Sequence, residues 1–371
     1  MRKDKIIKKL PNPFIFNNGK TVNSIADWDE RRNEILQDVI NLEYGGMPPK
    51  PDCLWVESLT QSIKGGAPTY RVHNIINGYD FTFCFTAFRP NVDEKTPVVI
   101  TGDSMYYKNL DNAVIENANS RGFTVIKFNR CEFAPDLYNS DRISGIYPLY
   151  KDLKFSAISA WAWGYHRVID AITTFDYIDL NNIAITGHSR GGKAVLLAGA
   201  TDTRVKYVNP NNSGAHGCGS YLFEQNEEFP INGDVRNEKL ADLFSSVPYW
   251  MGQDMKKYIG SEVDLKHDMH FIKALVAPRI LLETNGLGDI WSNPRGSYLT
   301  HLASKEVWKF LNAEENCLTY YREGGHKHGY EDFMVLFNLI ENTIKNKTTA
   351  YPIPYNDIEP IHDYLAPTNN N

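Results

Sequence analysis

The run Asn182-Ile-Ala-Ile-Thr-Gly-His-Ser-Arg-Gly-Gly-Lys193 constrains the fold more than any other stretch of the chain. Ile183 to Ile185 reads as the end of a buried strand, and Lys193 to Ala200, small and apolar throughout, reads as a helix. Between them lies Gly187-His188-Ser189-Arg190-Gly191, a G-x-S-x-G pattern. Flanking glycines suit a sharp strand-to-helix turn, because the serine is held in a strained conformation and any neighbouring Cβ would clash. Such a turn projects Ser189 Oγ from the top of a sheet and aims the first amides of the next helix at the same point. A plain glycine-rich strand-helix junction shares the five-residue pattern. The strand and helix on either side favour a nucleophile.

The rest of the chain repeats the alternation. Asp27 to Glu43 carries Trp28, Ile35, Leu36, Val39 and Leu42 at helical spacing behind Ser24, a natural cap. Tyr70–Ile76 and Asp80–Phe88, separated by Asn77-Gly-Tyr, predict antiparallel strands about a turn. Pro97–Gly102 and Phe123–Asn129 are buried-strand runs with a helix expected over Leu110–Arg121 between them, and Trp161–Phe175 predicts the helix that feeds the Ser189 strand. Val205–Pro210, Arg279–Thr284 and Leu318–Arg322 supply three further strands. Alternating strands and helices of this kind predict a three-layer αβα sandwich on a mostly parallel sheet. One catalytic domain is expected over 1–345, with 220–272 too long for a plain crossover and read as an insertion over the active-site end, and a loose tail over 346–371.

Composition removes several function classes. A net charge of -6 leaves no basic footprint for nucleic acid or an anionic membrane. No stretch approaches the length of a membrane span. Cys53, Cys84, Cys131, Cys218 and Cys317 are odd in number and scattered, which predicts free thiols rather than a disulfide framework or a metal knuckle. Met1 to Leu10 is charged without an apolar core, so the chain reads as cytoplasmic as it stands, or as secreted with its signal removed.

A serine hydroxyl needs a base, and the base needs an orienting acid. In the α/β-hydrolase fold the partners follow in the order serine, acid, histidine, each at a later strand end. After the 279–284 strand comes Asn285-Gly-Leu-Gly-Asp289-Ile-Trp291, with one carboxylate; after 318–322 comes Glu323-Gly-Gly-His326-Lys-His328-Gly, with two histidines. Alone, Asp289 could cap a helix, and the histidines could be solvated or hold zinc. Together, in order, they predict a triad.

Beyond these patterns, Leu10-Pro-Asn-Pro-Phe, Asn23-Ser-Ile-Ala-Asp-Trp-Asp-Glu-Arg-Arg, Glu43-Tyr-Gly-Gly-Met-Pro-Pro, Ala160-Trp-Ala-Trp-Gly, Gly187-His-Ser-Arg-Gly-Gly-Lys, Asn211-Asn-Ser-Gly and Leu275-Val-Ala-Pro-Arg resemble the glucuronoyl esterases, carbohydrate esterase family fifteen. The resemblance runs from about residue 10 to about residue 345. It implies hydrolysis of esters joining (4-O-methyl-)glucuronic acid of glucuronoxylan to lignin-type alcohols by a monomer, with no metal or cofactor. It further implies Ser189 as nucleophile, Arg190 as oxyanion support through its amide and guanidinium, Lys193 as a sugar-hydroxyl contact and Trp291 as a wall of the uronate site. Glu224 and Glu227 are weaker candidates for sugar hydroxyls. Other readings are an acetyl xylan esterase or other carbohydrate deacetylase, and a catalytically silent carbohydrate-binding protein.

The sequence also departs from the family. Many members carry the acid in a Glu-Ser-Gly context at the position that is Asn212 here, which shifts the role to Asp289, a strand end used by some relatives, with Glu283 as the fallback. The alignment favours His328 as base, and sliding it by two residues selects His326. A disulfide of fungal relatives would fall on His188 and Gly329, so that pairing is missing from the sequence.

Overall fold

The computed structural model describes residues 4–104, 112–138, 142–347 and 364–367. After a two-residue strand β1 (Lys5–Ile6) the chain forms helix α1 (Ile25–Tyr44). Ser24 and Asp27 form a reciprocal capping box that satisfies two amides of the first turn. Of the expected apolar stripe the helix buries Trp28, Ile35 and Val39 fully and Leu36 and Leu42 partly; it also buries Ile40 and, in its last turn, Glu43. Burial alone would raise the Glu43 carboxyl, but His216 Nδ1 at 2.8 Å and His267 Nε2 at 2.6 Å hold it down at about 2.

Strands β2 (Cys53–Ser58), β3 (Thr69–Ile76) and β4 (Tyr79–Phe88) form an antiparallel meander, with Asn77 and Gly78 at positive φ in the second turn. Strand β2 had no clear signal in the sequence because none of its side chains is buried. The chain then alternates: β5 (Thr96–Thr101), α2 (Asn112–Ser120), β6 (Thr124–Phe128), α3 (Ala157–Ile172), β7 (Ile178–His188), α4 (Arg190–Thr201) and β8 (Tyr207–Asn211). Leu110 and Asp111, expected at the start of α2, lie outside the described residues.

The 220–272 segment contains β9 (Phe223–Glu224), which pairs back with β1, the hairpin β10 (Asn226–Ile231) and β11 (Asp234–Arg236), and the short helices α5 (Leu240–Ser246) and α6 (His270–Ala274). β12 (Ile280–Gly286), α7 (Pro294–Phe310), β13 (Cys317–Arg322) and α8 (Tyr330–Ile344) complete the fold. Most of the expected tail over 346–371 lies outside the described residues; Leu365 pairs with Leu10, and Tyr364 donates to Glu306.

Among the described residues nine strands join one sheet in the order β13-β12-β8-β7-β5-β6-β4-β3-β2, parallel from β13 to β6 and antiparallel beyond. Successive residues of the parallel strands enter opposite cores. Val98, Ile100, Ile183, Ile185 and Leu281 pack under α1, α3, α4 and α6, whereas Val99, Ala184, Ile280 and Leu282 pack under α2 and α8. A sheet covered on both faces needs continuous apolar strands, which is why these runs were legible as buried. The architecture is the αβα sandwich of an α/β-hydrolase. Parallel strands place all their C-terminal ends on one rim, and Ser189, Asn212, Asp289 and His326 follow β7, β8, β12 and β13 there.

Candidate active site

Ser189 occupies the turn between β7 and α4 at φ 55° and ψ -119°, a conformation that costs a non-glycine residue roughly 1–3 kcal/mol. The surroundings enforce it. Ser189 N–H donates to Asn211 O at 2.9 Å, and His188 N–H donates to the Asp103 carboxylate at 2.7 Å. A Cβ on Gly191 would lie 2.2 Å from Asp103 Oδ1, and one on Gly187 would lie 2.7 Å from Gly191 O, so both glycines are required. Asp103 is itself buried against Arg130 beneath the turn.

On one side of the serine stands an acid-base couple. His326 Nδ1 donates to Asp289 Oδ2 at 2.6 Å, and the His326 ring packs 4.4 Å from the ring of His188, the residue before the serine. Asp289 is 3% exposed and the His326 side chain 41%, so the charge is buried and the ring reaches solvent. With Nδ1 protonated against the carboxylate, Nε2 keeps a lone pair for a serine proton. Burial would raise the Asp289 carboxyl, but the hydrogen bond and charge of His326, with donors from Ser292 and Asn212, hold it below the ordinary range. The loop carrying His326 is wound around Arg322, which is buried against Asp332 and donates to the carbonyls of Glu323, Gly325 and Lys327.

That winding separates the two histidines. His328, favoured by the alignment, turns inward: its ring stacks on Phe333 at 4.0 Å and 12°, and its buried Nε2 has no hydrogen-bond partner among the described residues. Burial, then the neighbouring His188 and Arg322, push it well below the ordinary histidine value. Asp289 contacts His326, the second of the two histidines considered, rather than His328. The fallback acid Glu283 is buried in an ion pair with Lys273 at 2.7 Å, on the α6 side of the sheet.

The helix that the serine opens carries two cations, Arg190 and Lys193. The Arg190 guanidinium donates to Asp136 Oδ2 at 3.0 Å and lies over the Trp250 ring at 4.6 Å, while Asp136 also accepts from Tyr249 and Trp250. Lys193, expected to meet a sugar hydroxyl, is 3% exposed. Its Nζ donates to Ser213 O at 2.6 Å and to Ala215 O, and sits 3.6 Å from Glu238. Burial raises the Glu238 carboxyl against the opposing pull of Lys193 and a hydrogen bond from Trp291. Lys193, Glu238 and Trp291 are therefore one connected group, with Arg236 over the Trp291 ring at 5.5 Å. Glu224 pairs with Lys239 at 2.5 Å and Glu227 lies on β10, so the carboxylate beside Lys193 is Glu238 rather than either of the two expected.

The family model described as "Glucuronyl esterase, fungi" matches residues 65–312. The 4-O-methyl-glucuronoyl methylesterase 1 of Wolfiporia cocos is 31% identical over 326 residues, spanning 87% of this chain and 76% of that protein. The chain belongs to the glucuronoyl esterase family. A second member, the 4-O-methyl-glucuronoyl methylesterase of Schizophyllum commune, is 30% identical over 326 residues, 86% of this chain and 77% of its own. Among solved structures, a carbohydrate esterase family 15 glucuronoyl esterase from Caldicellulosiruptor kristjansonii superposes with a TM-score of 0.77 at 26% identity, covering 94% of this chain and 95% of that one.

Within this glucuronoyl esterase family member, sequence reasoning missed Glu238, Asp136 and the donor role of Asn212. Glu238 lies in the 220–272 segment with no motif to single it out. Asp136 follows the C-terminal end of β6, and that position on the rim was the signal available for it.

Proposed function

We propose that this chain is a serine carboxylester hydrolase that cleaves the ester between (4-O-methyl-)glucuronic acid of glucuronoxylan and a lignin-type alcohol. The observation that carries the mechanism is the Asp289–His326 couple packed beside the strained Ser189 turn. His326 Nε2 takes the proton of Ser189 as Oγ attacks the uronate carboxyl carbon. Asp289 keeps the imidazole in the useful tautomer and stabilises the imidazolium that forms. The tetrahedral oxyanion is held by the Arg190 amide, which opens α4, and by the Arg190 guanidinium; one such donor is worth about 3–4 kcal/mol. His326 then returns its proton to the departing alcohol. It next activates the water that opens the acyl-enzyme and releases the free uronate.

The group Lys193, Glu238 and Trp291 supports the uronate side of the substrate. A buried ammonium and a partly buried carboxylate 3.6 Å apart offer a donor and an acceptor to adjacent sugar hydroxyls, and an indole offers a flat face to a pyranose. The deciding measurement is turnover of benzyl or methyl glucuronate ester by Ser189→Ala. The expected loss is at least about 10⁴-fold in kcat, and full retained turnover would sink the assignment.

A further inference from the structure

Asn212 sits on the rim at the end of β8, where a neutral amide meets the acid of the proposed couple. Its side chain is 1% exposed. Nδ2 lies 2.5 Å from Asp289 Oδ2, the same oxygen that accepts from His326 Nδ1, and Oδ1 lies 3.1 Å from Gly286 N. The second contact settles how the amide is oriented. An N–H of Gly286 can only donate, so Oδ1 must face it and Nδ2 must face the carboxylate. The backbone is held equally firmly: Asn212 N–H donates to Thr284 O at 2.9 Å, and Ser292 Oγ lies 3.3 Å from Asn212 O. Its φ of 43° lies in the left-handed region, which asparagine tolerates better than most residues. One side chain thus ties the end of β8 to both the end of β12 and the acid in the loop after it.

We propose that Asn212 is a positioning residue that fixes the Asp289 carboxylate for His326. The geometry explains why a neutral donor belongs there. A carboxylate at this distance would add a second negative charge to a buried site, and two carboxylates so close cannot both ionise. A purely apolar residue would leave Asp289 Oδ2 with fewer donors and free to rotate away from His326 Nδ1. The asparagine supplies a donor without charge, in a backbone conformation it can hold.

The inference rests on Asp289 and His326 being the catalytic couple, and a mutant cycle separates the two claims. Asn212→Gly keeps the left-handed backbone and removes the amide; Asp289→Asn removes the acid. On methyl glucuronate, Asn212→Gly is expected to lower kcat about 10–100-fold with KM within twofold. In the Asp289→Asn background the same change is expected to alter kcat less than twofold, since there is no carboxylate left to position. An equal fold-loss in both backgrounds would show a merely structural role, and kcat within twofold of the parent would show no role; either overturns the inference. Asn212→Asp, of nearly the same shape, covers the case in which glycine destabilises the loop. It is expected to melt within a few degrees of the parent and still lose kcat. Full activity in that variant, or failure of both variants to fold, would overturn the inference. If Asp289→Asn alone leaves kcat intact, it is the assignment of the couple that fails.

Discussion

The ionisable groups about Ser189 handle charge in two different ways. On the base side a single buried carboxylate, Asp289, is surrounded by neutral or titratable donors: the His326 ring, the Asn212 amide and the Ser292 hydroxyl. On the cation side each carboxylate faces a nominally permanent positive charge, the buried Asp136 side chain against Arg190 and the partly buried Glu238 against Lys193. The first arrangement lets a proton arrive and leave, because the partner of the acid can change its charge. The second holds charge still, as a stabiliser of developing negative charge must be held. The base side is built from residues directly after β8, β12 and β13, whereas the cation side draws Glu238, Tyr249 and Trp250 from the 220–272 segment.

The comparison breaks most decisively at the paired histidines. His326→Ala is expected to lower kcat on methyl glucuronate by about 10³–10⁴-fold, while His328→Phe, which replaces a ring already stacked on Phe333, should stay within about threefold. Reversed outcomes would return the base to His328. On the cation side, Asp136→Asn removes the charge that aims the Arg190 guanidinium but keeps an acceptor for Tyr249. Steady-state kinetics should show kcat reduced about 10–50-fold with little change in KM, roughly the 1.4–2.3 kcal/mol expected for weakening one charge-assisted contact. A smaller, substrate-dependent effect is expected of Glu238→Gln. It should cost about tenfold in kcat/KM on the glucuronate ester and nothing on acetylated xylan, where no uronate occupies that group. Equal losses on both substrates would remove Glu238 from sugar recognition.

The smallest effect concerns stability. The buried His328 is pushed well below its ordinary value of about 6.5, and His166 falls to about 4, in each case chiefly by burial. The folded state leaves these rings neutral while the unfolded chain takes up protons, so their contribution is intact above about pH 6.5 and lost as pH falls below it. Melting temperature should decline from pH 7 to pH 5, and His328→Phe should flatten that slope. An unchanged slope in the variant would mean that His328 does not titrate on unfolding.

Where the sequence was legible, the physics was local. Ile183–Ile185 and the glycines about Ser189 carry their meaning within a few residues, and Ser24 with Asp27 announces α1 by itself. The positions of Asp289 and the two histidines could be narrowed because parallel strands send their ends to one rim. Choosing between His326 and His328 was beyond a linear pattern: it depends on Arg322 winding the loop so that one ring faces Asp289 and the other Phe333. Glu238 was hidden for a similar reason, since its partners Lys193 and Trp291 come from distant segments of the chain.

Glu43 sets how far this chain can be trimmed. It lies before residue 65, where the family match begins, yet it is the shared hydrogen-bond partner of His216 and His267, and His216 follows directly on the loop whose carbonyls hold Lys193. Cutting the chain back to the matched segment would strip two buried imidazoles of their shared carboxylate at one end. At the other it would discard the strand and loop that carry His326. The smallest autonomous unit is therefore longer than the matched segment on both sides, and limited proteolysis should find no early cleavage inside α1.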